Sequence, residues 1–528
     1  MTTVAIDFGT SNTVVSILEP DTQLPKSLRF PNLSRLFIGA SSHGERLEIP
    51  VIPSVLFIKS HNQVILGESV RSQRLGLSQS YPPERLFKKF KRDLAGDYQS
   101  PPRHIEGRDY DSISICDLFI QSIWREIKNQ NIKPNHLVFT VPVGAFERYL
   151  DWFRDLGAKL NVPEVSIIDE STAAALGYAI KHPGVLILVV DFGGGTLDLS
   201  LLKTVPHSSP NGNLRAEVLA KSQAYVGGED IDVWIVEDYL RSQNLRREQL
   251  GRIAYQNLLE IAEKLKIQLS KNQSVSETWF DDESFMSYEL RMSREKLEEI
   301  LENRQFLQQL REALDDVLGM AFRKGIHKND IEQVLLVGGS CLIPSVRQLI
   351  TSYFGKNKVN LNKPFDAVCH GALAVTKFTQ VDDFLHHSYA IRLWDAYSRT
   401  YTYHRLFTQG TKYPCESKAW LNLQVANNGQ AEVHLDIGEL GDMTQTEIAF
   451  DASGRMTSSI LQHQETYRSL DSQHQKVCVA KLNPPGEAGF DRISVLFYVD
   501  SHRTLLATVK DLLTGQILVD RGEVYKLR

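Results

Sequence analysis

Two stretches of this chain share one pattern. Residues 6–18 read IDFGTSNTVVSIL and residues 190–202 read VDFGGGTLDLSLL. Each is an apolar run ending in Asp and Phe, then a short glycine-bearing bend, then a second run rich in β-formers. Glycine adds no side chain and reaches positive φ, so such a bend can bring backbone N–H groups close to an anion. A P-loop needs GxxxxGK[ST] and a dinucleotide fold needs GxGxxG, each opening a helix. Neither stretch fits, because each bend is followed by a strand pattern. The spacing predicts two β-hairpins, one in each of two similar lobes, with their bends facing each other.

The rest of the first 380 residues agrees with a duplicated α/β body. VVSIL, VLFI, HLVFTVPV, VSII and VLILVVDF read as strands, several apolar enough to be buried on both faces. Helical periodicity lies between them. Ala254, Leu258, Ile261, Leu265 and Leu269 share one face of a helix over 251–270. Leu297, Ile300, Leu301, Leu310, Leu314, Val317 and Ala321 suggest a longer one over 295–321. The character changes near 380. From about 388 onward period-two alternation dominates, and Asn427-Asn428-Gly429 is expected to turn a hairpin from Leu421–Val425 into Val433–Ile437. This predicts a two-lobed α/β domain over 1–378, with lobes of about 1–188 and 189–378. A linker over 379–388 and an all-β sandwich over 389–528 follow.

Bulk properties exclude several classes. The net charge of -5 over 528 residues gives no basic field for nucleic acid or an anionic membrane. No apolar run reaches the roughly 18 residues that span a bilayer. The start, MTTVAIDFGT, enters a strand pattern without a signal-peptide layout. Five scattered cysteines without a CxxC argue against a disulfide framework or zinc site, and for a reducing cytoplasm.

The chemistry implied by the bends is polyphosphate binding. Asp7 and Asp191 end their strands beside the bends and would meet near the phosphates. Two carboxylates would repel a polyphosphate unless a divalent cation lay between, so Mg²⁺ is expected. The DFG triplets also occur in protein kinases, but HRD and VAIK are absent.

Eight motifs in order carry a resemblance: IDFGTSNT, FKKFKRDLAG, TVPVGAFER, IIDESTAAALGYA, VDFGGGTLD, VGGEDID, AEKLKIQLS and LLVGGS. Together they resemble the 70-kDa heat-shock chaperone (DnaK-type) family of the actin-like ATPase superfamily, from residue 2 to about 378. The resemblance implies that Gly9, Thr10, Ser11 and Asn12 form a first phosphate loop and Gly193, Gly194, Gly195 and Thr196 a second. It implies that Asp7, Asp191 and Asp198 surround a water-shelled Mg²⁺, with K⁺ admitted as a second cation. Lys91, Glu170, Asp191 and Thr196 are the implied catalytic group. Glu263, Lys266 and Ser270, spaced on one helix face, and Gly338, Gly339 and Ser340 are implied to hold the adenosine of ATP or ADP. Gly227, Gly228, Glu229 and Asp230 open a helix over 229–242 beside it. Pro142 and Arg148 match the family's interdomain switch. For Lys88, Lys89, Lys91 and Arg92 the competing reading is a solvated helical face. For Glu263 and Lys266 it is a structural ion pair.

Departures from the family qualify this. Leu342 stands where an arginine usually stacks on adenine, Ser171 where a proline usually follows Glu170. The loop between Pro142 and Arg148 is shorter, and residues 21–50 look inserted. The end at 528 leaves no room for the helical lid or acidic tail, so a lidless member is expected. The resemblance implies an ATP-driven chaperone for extended apolar peptides, with J-domain and nucleotide-exchange partners. The alternative is a nucleotide-switched protein whose β-domain takes one dedicated partner, favoured by Trp394, Tyr397, Tyr401, Tyr403 and Trp420 unless these are sandwich core. A sugar kinase or a filament former leaves the β-domain unexplained.

Overall fold

Both DFG stretches are β-hairpins. Strand β1 (Thr2–Phe8) runs antiparallel to β2 (Asn12–Leu18), with Asp7 opposite Val14 and Phe8 opposite Thr13. In the second copy Asp191 lies opposite Asp198 and Phe192 opposite Leu197. In a computed structural model, the chain is described except for residues 1, 20, 41–45, 61–62, 96–99, 143–146, 180–183, 207–213, 225, 282–284, 362–363, 376–384, 386–387, 396–399, 409–410, 412, 451–455, 471–476, 501–503 and 528. It divides into two compact units, Met1–Val381 and Asp382–Arg528.

The first unit holds two sheets of the same plan. Further strands are β3 (Pro25–Ser27), β4 (Arg35–Ala40), β5 (Arg46–Pro53), β6 (Pro134–Val141) and β7 (Glu164–Asp169). The first sheet runs β7-β6-β1-β2-β5-β4, with β3 against β2. Next in the chain come β8 (Leu186–Phe192), β9 (Leu197–Pro206), β10 (Leu214–Ala224), β11 (Gln333–Val337) and β12 (Val359–Asn360). They form a sheet in the order β10-β9-β8-β11-β12. In each sheet the DFG strand pairs antiparallel with its hairpin partner and parallel with a later strand. Its residues alternate little, as expected of strands covered on both faces: Val4, Ala5, Ile6, Ile187, Leu188, Val189 and Val190 are all buried. The part of the unit built on each sheet is called a lobe here.

Each lobe has its own core, and the DFG phenylalanine is in it. Phe8 packs among Phe90, Phe119 and Trp152, and Phe192 stacks on Phe306. Burying each ring pins its bend to a rigid floor. Helix α1 (Phe90–Ala95) follows in the first lobe, and helix α2 (Glu170–Ala179) leaves its last strand. The Asp169 side chain accepts from Thr172 N–H at 2.6 Å and so caps α2. In the second lobe lie α3 (Gly228–Ser242), α4 (Arg252–Leu269), α5 (Arg294–Asn303), α6 (Phe306–Arg323) and α7 (Ala367–Val375). Helices α2 and α7 exchange places. The first packs on strands of the second lobe and the second on β1, β2 and β6 of the first. They lie back to back, because glycine permits it: a Cβ on Gly371 would sit 1.7 Å from Ala173 O. A third core, with Ala5, Val14, Ala173, Val189, Ala372 and Leu373, fills the joint.

One helix expectation fails instructively. Residues 295–321 form two helices, broken at Arg304–Gln305, where Gln305 has φ 55°. The predicted stripe is buried throughout, but Leu301 and Leu310 are nine residues apart. At 100° per residue that places them on opposite faces of one straight helix. The break lets both face the same core.

The second unit is all β among its described residues. One sheet pairs Thr400–Phe407, Ser388–Asp395, Gln430–Phe450 and Met456–Ser469, with Val477–Gly486 also on Gln430–Phe450. The other holds Asp491–Val499, Thr504–Asp511 and Ile517–Lys526, with Leu421–Gln424 and Cys415–Glu416 on its first strand. Leu423 and Val425 of one sheet and Val433, Leu435 and Ile437 of the other share one core. The Asn-Asn-Gly turn therefore is not a hairpin. It carries the chain from one sheet to the other, because Leu421–Gln424 pairs with Asp491–Val499 instead. The sandwich-core reading of the aromatics also fails for three of them: Trp394, Tyr401 and Trp420 are about half exposed. Tyr403 stacks on Tyr467, and Tyr397 lies outside the described residues.

Candidate functional site

The two bends meet, and glycine lets them. Loop 9–12 closes the first hairpin and loop 193–196 the second. A Cβ on Gly194 would fall 1.9 Å from Ser11 Oγ, and one on Gly195 would come 3.1 Å from Thr10 Oγ1. Gly227, the residue before α3, would press a Cβ to 2.2 Å from Gly194 O. Gly228 would meet Ser340 Oγ at 2.6 Å and Gly338 would meet Phe192 O at 2.2 Å. Gly9 is excluded from bearing a side chain by Asn12 O, 2.1 Å away. Loops far apart in sequence are thus brought to backbone contact. The helix N-terminus at Gly228 is tied to the second bend, Gly228 N donating to Gly193 O at 3.1 Å and Glu229 N to Gly194 O at 2.9 Å.

Behind the bends lies a buried acidic cluster around a buried lysine. Lys91 on α1 is 6% exposed and donates from Nζ to Glu170 Oε1 at 3.1 Å. Burial works against its ammonium, but Glu170, Tyr149 and Asp7 hold its pKa well above the ordinary lysine value. Asp7 accepts from Thr140 Oγ1 at 2.8 Å. Burial, then the negative charge of Glu170, push the Asp7 carboxyl up to about 7. Asp198 accepts from Thr196 Oγ1 at 2.7 Å, and burial likewise pushes it up to about 7. Asp191 is raised well above the carboxylate range by burial, Glu170, Asp198 and Asp7. Lys91, and Lys221 whose charge also acts on Asp198, do not balance four carboxyls. The set holds protons in place of a missing positive charge.

That imbalance is what a polyphosphate-bound cation would relieve. Among the described residues no three His, Cys, Asp or Glu side chains are close enough to hold a metal ion directly. A cation bound through its waters and through phosphate oxygens, as Mg²⁺ prefers, would fit the carboxyls of Asp7, Asp191 and Asp198. The glycine cradle and the hydroxyls of Thr10, Ser11 and Thr196 fit the phosphates.

A cavity of about 700 Å³ runs from the bends along the seam between the lobes. Glu263 and Lys266 of α4, Ser270 at its C-terminal cap, and Gly339 and Ser340 all line it. Glu263 and Lys266 do not pair with each other. Lys266 Nζ lies 2.6 Å from Asp232 Oδ1 and donates to Gly228 O at 2.5 Å. Glu263 takes both guanidinium nitrogens of Arg71 from the first lobe, at 3.0 and 2.9 Å. Burial opposes its charge, but Arg71 and Arg35 hold its pKa well below the carboxylate range. Ser340 Oγ donates to Gly193 O at 2.8 Å, tying the third loop to the second. Asp230 Oδ2 accepts from Gly227 N at 2.8 Å, and Ser11 Oγ donates to Glu229 Oε1 at 2.7 Å across the lobes.

The solvated-face reading of 88–92 is replaced by a cross-lobe one. Lys88 pairs with Glu260, Lys89 with Glu229 at 3.2 Å and Arg92 with Asp230 at 3.7 Å, while Lys91 points inward. Sequence reading missed Thr140 and Asp232, which sit inside quoted motifs, and Arg71, which sits in none. Pairing partners almost 200 residues away leave no local signal. Pro142 follows β6 and is partly buried; the side chain of Arg148 lies outside the described residues. So does most of 379–388.

Similarity to known proteins follows the same ground. The Hsp70 protein family model matches residues 155–386. The chaperone protein DnaK of Thermotoga neapolitana is 24% identical over 97% of this chain and 79% of its own length. That of Thermosipho africanus is 27% identical over 70% of this chain and 58% of its own. That of Thermotoga maritima is 24% identical over 97% and 79%. These matches support the Hsp70/DnaK-type family for this chain. Its mixed α/β first unit agrees with the family's fold. No helix among the described residues is long and apolar enough to cross a membrane. Cys116, Cys341 and Cys369 are buried free thiols and Cys415 a partly buried one.

Proposed function

We propose that this protein is an ATP-hydrolysing chaperone whose first unit switches the peptide affinity of its β-rich unit. The observation that carries the reading is the buried Lys91–Glu170 pair, set among Asp7, Asp191 and Asp198 where two glycine bends meet. The β- and γ-phosphates lie between loops 9–12 and 193–196, held by backbone N–H groups and by Thr10, Ser11 and Asn12. Glu263, Lys266 and Ser270, with Gly338, Gly339 and Ser340, hold the nucleoside. Bound Mg²⁺ would supply charge neutralisation of the phosphates, with Asp7, Asp191 and Asp198 holding its waters. Lys91 orients the attacking water and offsets charge developing on the γ-phosphoryl oxygens, the largest share of catalysis in phosphoryl transfer. Glu170, fixed by Lys91, accepts that water's proton. Thr196 keeps Asp198 turned toward the cluster.

Closure of the lobes about α2 and α7 is the two-state element that ligand can bias. Pro142, Arg148 and the linker over 379–388 relay it to the β-rich unit. The clients are extended apolar peptides. J-domain and nucleotide-exchange partners follow from the family likeness alone.

The test is phosphate release from ATP with Mg²⁺, together with anisotropy of a labelled apolar peptide in ADP and in ATP. Hydrolysis lost in Lys91→Ala, with peptide held in ADP and released in ATP, supports the reading. Absent hydrolysis in the wild type overturns it. Hydrolysis without generic peptide binding leads to a second reading, a switch with one dedicated partner. The exposed Trp394, Tyr401 and Trp420 favour it, since exposed aromatics are common interface anchors.

A further inference from the structure

Residues 21–50 enter none of these steps, yet their second half reaches the cleft. Strands β4 and β5 form a hairpin, from Arg35 opposite Val51 to Ala40 opposite Arg46. It joins the first sheet beside the phosphate loop, with Asn12 opposite Pro53 and Thr13 opposite Ile52. From there two side chains cross to the second lobe. Arg35 donates from Nη2 to Asn12 Oδ1 at 3.0 Å and lies 3.5 Å from Glu263 Oε1. Its guanidinium carbon sits 4.5 Å from the centroid of the Phe37 ring. Phe37 stacks in turn on Phe365, centroids 4.3 Å apart and planes 15° from parallel. Phe365 is the ring that closes over Gly339, where a Cβ would come within 3.0 Å of it.

A guanidinium and two rings thus form a ladder that ends on the Gly338–Ser340 loop. Arg35, Phe37 and Phe365 line the same cavity as Thr10, Ser11 and Gly194. The phosphate loops occupy one end of that cavity and the ladder another part of its wall. A second observation points to a ligand. Arg35 Nε is buried and has no hydrogen-bond partner among the described residues. An unpaired buried donor is costly, so it implies an acceptor that arrives from outside. A flat guanidinium and a flat ring beside an unpaired N–H suit a planar heteroaromatic with lone pairs.

We propose that the β4–β5 hairpin is a nucleoside-recognition wall, in which Phe37 and Arg35 contact the base and ribose of the bound nucleotide. The inference rests on the nucleotide-binding reading above and adds residues to it. Arg35 also joins the two ends of the site, because Asn12 belongs to the phosphate loop and Glu263 to the nucleoside side. Removing Arg35 does not strand Glu263, which keeps both nitrogens of Arg71.

The experiment compares ADP with inorganic pyrophosphate by titration calorimetry in Mg²⁺. Wild type, Arg35→Ala, Phe37→Ala and Phe37→Leu are used, each checked by thermal melt. Phe37→Leu keeps apolar packing on Phe365 but removes the aromatic face, so it decides the matter if the alanine variant is unfolded. Expected is a loss of about tenfold in ADP affinity in Phe37→Leu and Arg35→Ala, with pyrophosphate affinity kept within about twofold. ADP affinity unchanged in both variants overturns the proposal. So does an equal loss of both ligands, which would make the hairpin only a brace between lobes. Wild type that binds pyrophosphate as tightly as ADP overturns this proposal alone. Wild type that binds neither removes the nucleotide-binding reading, and this one with it.

Discussion

Asp198→Asn is expected to stabilise the protein without nucleotide and cripple it with nucleotide. The Asp198 carboxyl stands at about 7, against 3.8 when unperturbed, chiefly because it is buried. The folded protein thus holds a proton that the unfolded chain has released between about pH 4 and pH 7. Stability must fall as pH rises through that window and level off above it. A shift of about three units at about 1.4 kcal/mol each amounts to about 4 kcal/mol opposing folding at pH 8. Asparagine is neutral at every pH and its Oδ1 can still accept from Thr196 Oγ1, now 2.7 Å from Asp198 Oδ2. The nucleotide-free variant should therefore melt several degrees above wild type at pH 8 and beside it near pH 4. Its stability should vary less with pH, by one proton, while Asp7 and Asp232, both also near 7, retain theirs. The assay is a melt followed by tryptophan fluorescence across pH, with and without Mg²⁺ and ADP. Mg²⁺ and ADP should raise the wild-type midpoint more than the variant's. A variant that melts with wild type at pH 8, with the same pH slope, would refute the assignment of a charge-starved cluster.

Three other substitutions separate the parts of the site. Lys91→Ala should cut phosphate release by about a hundredfold or more while ADP still binds, and it should lower the melting point at pH 8, because the buried lysine of the cluster is gone. Gly227→Ala drives a Cβ to 2.2 Å from Gly194 O, so backbone must move; a loss of about 1–3 kcal/mol in stability and failed pyrophosphate binding are expected by chemical denaturation and calorimetry. Arg71→Ala removes a two-pronged pair across the lobes but leaves Arg35 near Glu263; ADP should dissociate about tenfold faster in stopped-flow measurements, with phosphate release at saturating ATP little changed.

What the sequence disclosed was whatever is local. The hairpins could be read because Asp, Phe and glycine recur at fixed offsets, and each offset has a mechanical cause. The apolar stripes on Ala254–Leu269 and on Leu297–Ala321 named buried residues, Ile261 alone among them being only partly buried. The break at Gln305 was hidden because periodicity was counted without its phase across residues 302–309. The Asn-Asn-Gly turn misled for a related reason. A turn fixes the local reversal, but which sheet accepts the next strand depends on Asp491–Val499, more than 60 residues on. In the site, the glycine loops and carboxyls were visible as motifs. The charges that fasten the lobes were not, because Arg71 with Glu263 and Lys88 with Glu260 are encounters of distant segments. The inserted hairpin carried no motif at all, and only its contacts give it a role.

The two hairpins are copies in geometry but not in charge. Asp7 corresponds to Asp191 and Phe8 to Phe192, and both bends have four residues from glycine onward. Opposite Asp7, however, stands Val14, whereas opposite Asp191 stands Asp198. Val14 is buried in the joint with Ala173 and Leu373. A carboxyl there would need a partner the joint does not offer. The second hairpin escapes this because Thr196 faces Asp198, a role for which the matching Asn12 is instead engaged by Arg35. Two of the strand carboxyls therefore come from the second lobe and the balancing lysine from the first. Cation and γ-phosphate would be gripped by unlike halves, and neither lobe alone has a neutral site. A duplicated fold supplies two hairpins, and Val14 in one where Asp198 stands in the other leaves them unlike in charge.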